Sequence, residues 1–221
     1  MEPTARADLT RTWAVVPIRG LETAKTRLGE DLDAEERLEL VTVLLTRTLV
    51  ATRDAARIAG TVVVTMDQAA AGLAHEHRAI GLVERAPGLN EAIVAAQSVA
   101  VARGATAIVV LPADLPGIDA LAVDSLVEAA ARATRHLAPG AEPEGIVAIV
   151  ADRHGAGTNA LLVSPPTLVE PAFGPGSLAR HHTAAEAAGA RILELDGPLS
   201  FDLDTAADLL TAESELGSLL G

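Results

Sequence analysis

The chain has 221 residues, 49% of them hydrophobic and 1% aromatic, no cysteine and a formal net charge of -13. That length can bury one full core, and the acidic balance disfavours a nucleic-acid backbone or an anionic membrane as the main partner. Without cysteine there are no disulfides, thiolate metal sites or thiol nucleophile, and with no apolar run near ~18 residues the expectation is a cytoplasmic protein without a membrane segment.

Residues 1–12 read as a polar, flexible lead, and residues 1–221 as one domain. Trp13 to Ile18 form a first strand with Pro17 near its end. The following loop, Arg19 to Leu28, carries three cations: Arg19, Lys25 and Arg27. A helix is expected from Asp33 to Ala55, because Asp33 can cap it and Glu36 can complete a capping box. Thr61–Met66 is a second strand, Gln68–His77 a short helix and Ala79–Glu84 a third strand. Asn90–Arg103 reads as a helix. Ala107 to Leu111 is an unbroken apolar strand, after which Pro112 and Pro116 fix the backbone on either side of Asp114.

A helix from Asp119 to Arg135 and a loop from His136 to Glu144 follow. Gly145–Val150 and Ala160–Ser164 are strands joined by the Gly-rich turn 153–158, a candidate antiparallel pair. Phe173-Gly-Pro-Gly-Ser177 opens a helix to Gly189, Arg191–Leu195 is the last strand, and Phe201 to Asp208 leads into a terminal helix. Strands alternating with helices imply βαβ units, hence an α/β fold with a mainly parallel sheet.

Four places carry chemistry. Asp114 stands at the carboxyl end of a central strand, where open α/β sheets bind ligands, and a carboxylate there suits magnesium with phosphate attached; a turn aspartate bonding its own backbone is the other reading. Lys25 is the sole lysine among seventeen basic residues, which suggests an ammonium placed on a phosphate, against the plainer reading of a solvated loop. Asp202 and Asp204 lie two apart and point to one side of an extended segment, although Asp204 could instead cap the helix after it. Gly157-Thr158 and Gly174-Pro-Gly-Ser177 permit close backbone approach to a small anion, or are simply turn glycines and a capping serine. Transfer of a nucleotidyl group to a phosphate would use these parts together. The attacking oxygen is already ionised, so the barrier is crowded negative charge, which cations offset.

In this order, Pro17-Ile-Arg with Ala24-Lys-Thr-Arg-Leu28, Leu89-Asn-Glu-Ala92, Asp114-Leu-Pro116, Gly157-Thr158, Phe173-Gly-Pro-Gly-Ser177 and Phe201-Asp-Leu-Asp-Thr205 resemble the guanylyltransferases of coenzyme F420 biosynthesis. The resemblance runs from about Trp13 to Leu209. It implies the three-layer, Rossmann-like nucleotidyltransferase fold of the nucleotide-diphospho-sugar transferases, shared with the molybdenum-cofactor nucleotidyltransferases. It also implies transfer of GMP from GTP to phosphoenolpyruvate or 2-phospho-L-lactate, with release of pyrophosphate and a downstream transferase taking the product. By that resemblance Asp114, Asp202 and Asp204 would hold Mg2+. Lys25 and Arg27 would contact the GTP phosphates, with Lys25, Arg27 and Asp114 as the catalytic set and Asn90 near the nucleoside. Thr158, Gly174 and Ser177 would bind the acid.

Arg19 stands where the family usually has lysine; guanidinium keeps the charge with a different geometry, so its nucleotide contact is the weakest of the set. A related enzyme acting on a molybdopterin or sugar phosphate, and a nucleotide-binding module without catalysis, are the competing readings. Whether the chain pairs as a homodimer is left open by the sequence. Gly155-Ala-Gly-Thr-Asn-Ala160 lacks the third glycine and long helix of a dinucleotide fingerprint. His181 and His182 read as solvated first-turn residues, with substrate carboxylate contact as the alternative.

Overall fold

Among the described residues, valine- and isoleucine-rich runs separated by alanine- and leucine-rich amphipathic stretches build a seven-stranded sheet with helices on both faces. The computed structural model describes residues 7–25, 28–29, 31–84, 88–135 and 143–216. In chain order these are β1 (Thr12–Pro17), α1 (Ala34–Asp54), β2 (Ile58–Thr65), α2 (Gln68–Glu76), β3 (Ile80–Val83), α3 (Leu89–Ala102), β4 (Ala107–Val110), α4 (Ala120–Arg135), β5 (Ile146–Ala151), β6 (Thr158–Ser164), α5 (Ser177–Ala187), β7 (Arg191–Leu195), a 3-10 turn at Pro198–Ser200, and α6 (Ala206–Leu216). Of the loop expected from His136 to Glu144, residues 136–142 lie outside the described residues.

The strand order is β3-β2-β1-β4-β6-β5-β7. Neighbours β3, β2, β1 and β4 are parallel, β7 is parallel to β5, and β6 alone runs antiparallel to both of its neighbours, β4 and β5. The hairpin expected from the sequence is therefore present, but its second strand is inserted at the centre of the sheet instead of being appended to an edge. Because β6 runs backwards, its first residue Thr158 lies at the same edge as the carboxyl ends of the other six strands. The chain leaves β1 towards β2 on one side and returns to β4 on the other, which puts a topological switch point between β1 and β4.

Side-chain alternation sorts the strands into two packed faces. Ala14, Val109, Ala148 and Leu162 pack under α4, whereas Val15, Val110, Val147 and Leu161 pack under α3 and α5. Val16 and Val63 meet α1 and α2. The capping box of α1 is complete: the Asp33 carboxylate accepts from Glu35 and Glu36 N–H, and Glu36 accepts from Asp33 N–H. The part of the lead that can be described is tied down, with Asp8 N–H donating to Ser164 Oγ and Arg11 N–H to Thr106 Oγ1. Among the described residues no helix is long and apolar enough to cross a membrane.

Candidate active site

The loop after β1 is fixed at both ends before it presents its lysine. Asp67, at the N-cap of α2, accepts from Leu21 N–H at 2.9 Å. Leu28 is wholly buried with Leu40, Leu44, Leu203 and Leu209. Between these anchors Lys25 takes a left-handed conformation, φ 55°, which non-glycine residues adopt at a cost and keep where surrounding contacts demand it. The demand is visible: Lys25 Nζ donates to Asp114 Oδ2 and to Asp204 Oδ1, each at 2.9 Å.

The two carboxylates arrive from different parts of the chain. Asp114 follows the buried end of β4, and Leu203 N–H donates to the Asp114 carbonyl at 3.0 Å, which lays the segment 201–204 alongside it. Asp204 does not cap α6. Thr205 and Asp208 perform that task reciprocally, Thr205 N–H donating to Asp208 Oδ2 and Asp208 N–H to Thr205 Oγ1, with Asp204 N–H also bound to Asp208. The Asp204 side chain is thereby released towards Lys25. Burial lowers the Lys25 pKa, but Asp114 and Asp204 outweigh it and hold the ammonium above its ordinary value.

Asp202 is placed differently. Its Oδ1 accepts from Asn159 Nδ2 at 3.3 Å, and burial raises its pKa, the Asn159 bond opposing and the charges of Asp114 and Asp204 adding to the rise. Among the described residues, no three His, Cys, Asp or Glu side chains form a group that could hold a metal ion. The expected set of Asp114, Asp202 and Asp204 thus does not close into a protein-only cage. Asp114 and Asp204 nevertheless aim one oxygen each at a shared cationic point. Magnesium is commonly held by one or two carboxylates, with substrate phosphates and waters supplying the remaining ligands, and this pair fits that pattern.

A cleft opens over this centre at the carboxyl edge of the sheet. A lobe of about 330 Å³ is lined by Arg19, Lys25, Asp114, Phe173 and Asp204. It adjoins a larger lobe of about 1040 Å³ over the ends of β1 and β2, sharing Pro17, Ile18, Arg19 and Leu89 with it. Arg19 is therefore at the junction of the two lobes. Arg27 lies outside the described residues. Asn90 is not directed into either lobe: its Oδ1 accepts from Phe173 N–H at 2.8 Å and its Nδ2 donates to Phe173 carbonyl at 3.2 Å. The amide is committed to the backbone, and its neighbour Leu89 lines the cleft.

Thr158, Gly174 and Ser177 are joined through α5. Gly174 (φ 115°) and Gly176 (φ 71°) occupy conformations that favour glycine, and Ser177, 2% exposed, begins the helix. Leu178 N–H donates to the Ala156 carbonyl, docking the helix start on the turn before Thr158. Arg180 donates to the Ala172 and Pro175 carbonyls and clamps the glycine loop. His181 is fully buried, so the solvated reading of that residue fails: Thr158 Oγ1 lies 2.9 Å from its Nδ1, and Ala172 N–H donates to its Nε2 at 3.0 Å. His182 instead pairs with Glu194.

The residue that sequence reasoning passed over is Arg153. It meets the buried Asp208 at 2.5 Å and stacks over the Phe201 ring at 4.9 Å, bracing the segment that carries Asp202 and Asp204. Its place in a Gly-rich turn gave no sign of a partner some fifty residues on.

The model of the family described as guanylyl transferase CofC like matches residues 12–213. The chain belongs to this family. Phosphoenolpyruvate guanylyltransferase of Sphaerobacter thermophilus is 40% identical over 199 residues, covering 90% of each chain. The enzyme of that name from Rubrobacter xylanophilus is 37% identical, covering 93% of this chain and 95% of its own. Solved structures agree on the fold. A protein assigned as a nucleotide-diphospho-sugar transferase from Desulfovibrio desulfuricans superposes with TM-score 0.69 at 15% identity, covering 90% of this chain and 84% of its own. A cytidylyltransferase from Leptospira borgpetersenii gives 0.58 at 13%, covering 93% and 86%. The family's fold is thus the three-layer nucleotidyltransferase fold expected from the sequence.

Proposed function

We propose that the protein transfers GMP from GTP to phosphoenolpyruvate, releasing pyrophosphate, in a magnesium-dependent step of cytoplasmic coenzyme F420 biosynthesis. The observation that carries this reading is the Lys25 ammonium shared between Asp114 and Asp204 in a cleft at the switch point of the sheet. In the lobe Lys25 and Arg19 are matched by Asp114 and Asp204, so the protein has little positive charge to spare and a triphosphate would need a cation to come with it. Magnesium, when bound, would withdraw charge from the phosphates and align them, and Asp114 and Asp204 would hold it.

The remaining work falls to the chain itself. Lys25 balances the carboxylates in the free protein and contacts phosphate when GTP enters; Arg27 and Arg19 add cationic contacts, Arg27 on the strength of the family resemblance. The larger lobe takes the nucleoside, and Asn90 acts on the smaller lobe by gripping Phe173, which lines it. Thr158, Gly174 and the start of α5 at Ser177 hold the acid, with the Thr158 hydroxyl as a donor, since the Ser177 and Leu178 N–H groups are already bonded to the Gly174 and Ala156 carbonyls. An acceptor phosphate oxygen attacks the α-phosphorus, the bond from that phosphorus to the bridging oxygen breaks, and pyrophosphate leaves. The nucleophile is already ionised, so no general base is needed.

The test is pyrophosphate release from GTP and magnesium with phosphoenolpyruvate or 2-phospho-L-lactate, alone and coupled to the downstream transferase. Turnover is expected with phosphoenolpyruvate and should cease when EDTA removes the metal. No turnover with either acid in the coupled assay contradicts the proposal. GTP binding that is indifferent to magnesium would favour a non-catalytic nucleotide-binding module.

A further inference from the structure

We propose that His181 is a positioning residue that makes Thr158 a hydrogen-bond donor to the acceptor acid, an inference that rests on the acceptor role of Thr158 proposed above. Ala172 N–H donates to Nε2 of the ring at 3.0 Å, so that nitrogen carries no proton in the neutral imidazole. The proton is then on Nδ1, which lies 2.9 Å from Thr158 Oγ1. The threonine oxygen accepts from the ring, and its own hydrogen is left to be donated elsewhere. An anion bound at the sheet edge is the natural recipient.

The same ring ties together two separate parts of the acceptor subsite. Thr158 begins β6, whereas Ala172 leads through Phe173 into Gly174, so one imidazole fixes the spacing between the hydroxyl and the glycine loop. Phe173 packs edge-on against it, with ring centroids 5.0 Å apart at 70°, and Asn90 grips the Phe173 backbone. Burial first, then the charges of Arg180 and His182, hold the His181 pKa down to about 4, which keeps the ring uncharged at neutral pH. An uncharged ring can accept from Ala172 and donate to Thr158 at once, which imidazolium cannot do.

Two measurements decide the matter. Nitrogen-15 NMR of the histidine-labelled protein at neutral pH is expected to find the His181 proton on Nδ1, with that signal shifting in Thr158→Val; a proton on Nε2 overturns the proposal. In steady-state kinetics, His181→Phe should raise the KM for phosphoenolpyruvate by about tenfold and leave the KM for GTP unchanged, the scale of one lost hydrogen bond to a charged group. Thr158→Val should do the same, and the double variant should be no worse than Thr158→Val alone, since one residue acts through the other. His181→Asn, which can still donate, should recover most of the loss. Effects that multiply in the double variant, or an equal rise in the KM for GTP, overturn the proposal. If His181→Phe does not fold, the Asn variant and the NMR experiment carry the test. Failure of the wild-type protein to use the acid would count against guanylyl transfer, while the tautomer would still report on His181.

Discussion

The backbone N–H of Leu203 donates to the carbonyl oxygen of Asp114 at 3.0 Å. A main-chain bond between a strand end and a distant extended segment sets two carboxylates on one lysine without relying on the carboxylates themselves. Charge repulsion between Asp114 and Asp204 is offset by Lys25, and the backbone bond would keep the segments together if phosphate drew that lysine away. The site is therefore preorganised by parts that take no part in the chemistry.

Lys25→Met should reduce pyrophosphate release by at least about a hundredfold, because phosphate loses its point charge and the carboxylates lose their counterion. The same variant should be less stable by about 1–2 kcal/mol, a partly buried pair being intermediate between exposed and buried cases. Urea unfolding checks this. Adding Asp204→Asn to the methionine variant should return some stability and no activity.

Arg153→Ala should lower stability by about 1 kcal/mol through the lost stacking on Phe201 and the lost partner of Asp208. Turnover should fall with it, since the bracing of residues 201–204 is weakened. Arg153→Lys keeps the charge but not the planar contact and should restore only part of both. Thermal unfolding and kcat, measured on the same preparations, separate the two effects.

Gly174→Ala forces a side chain into φ 115°, a conformation that costs roughly 1–3 kcal/mol of local strain. The loop should relax away from that geometry. The KM for the acid should rise by tenfold or more while the KM for GTP stays near the wild-type value. Equal changes in both constants would mean that the loop does not belong to the acceptor subsite.

The chain titrates its own stability at both ends of the pH scale. His181 has its pKa lowered from 6.5 to about 4, so between those values the unfolded chain binds the extra proton and the folded chain does not. Its contribution is complete above pH 6.5 and is lost as pH falls towards 4. Lys25 behaves oppositely: its raised pKa contributes fully below 10.5 and the contribution is lost as pH rises through the folded value. Urea midpoints across pH should fall on both flanks. His181→Asn should flatten the acid flank and Lys25→Met the alkaline one.

What could be read from the sequence was local. The capping box at Asp33 and Glu36, the proline-bracketed Asp114 and the period-two carboxylates at 202 and 204 each follow from residues a few positions apart. The position of β6 did not, because an antiparallel strand entering the middle of a parallel sheet is decided by pairing with β4, fifty residues earlier. The resemblance implies that Asn90 lies near the nucleoside, but nothing in the local sequence showed that its amide is bound to Phe173, a partner 83 residues away. His181 sits next to two other polar side chains and resembles a surface residue; only the tertiary fold buries it beneath Phe173. Fold and carboxylate segments were legible because short-range rules set them, and the supporting contacts were not because they span the chain.

The most direct test of the central claim, that Asp114 and Asp204 act with Lys25 in one phosphate-handling centre, is pyrophosphate release by Asp114→Asn in the coupled assay, with folding checked by circular dichroism. The account predicts an intact fold and turnover reduced by at least about a hundredfold, because the amide supplies neither the charge nor the hard oxygen pair that phosphate transfer needs here. Turnover at the wild-type rate would remove Asp114 from the mechanism and contradict the account.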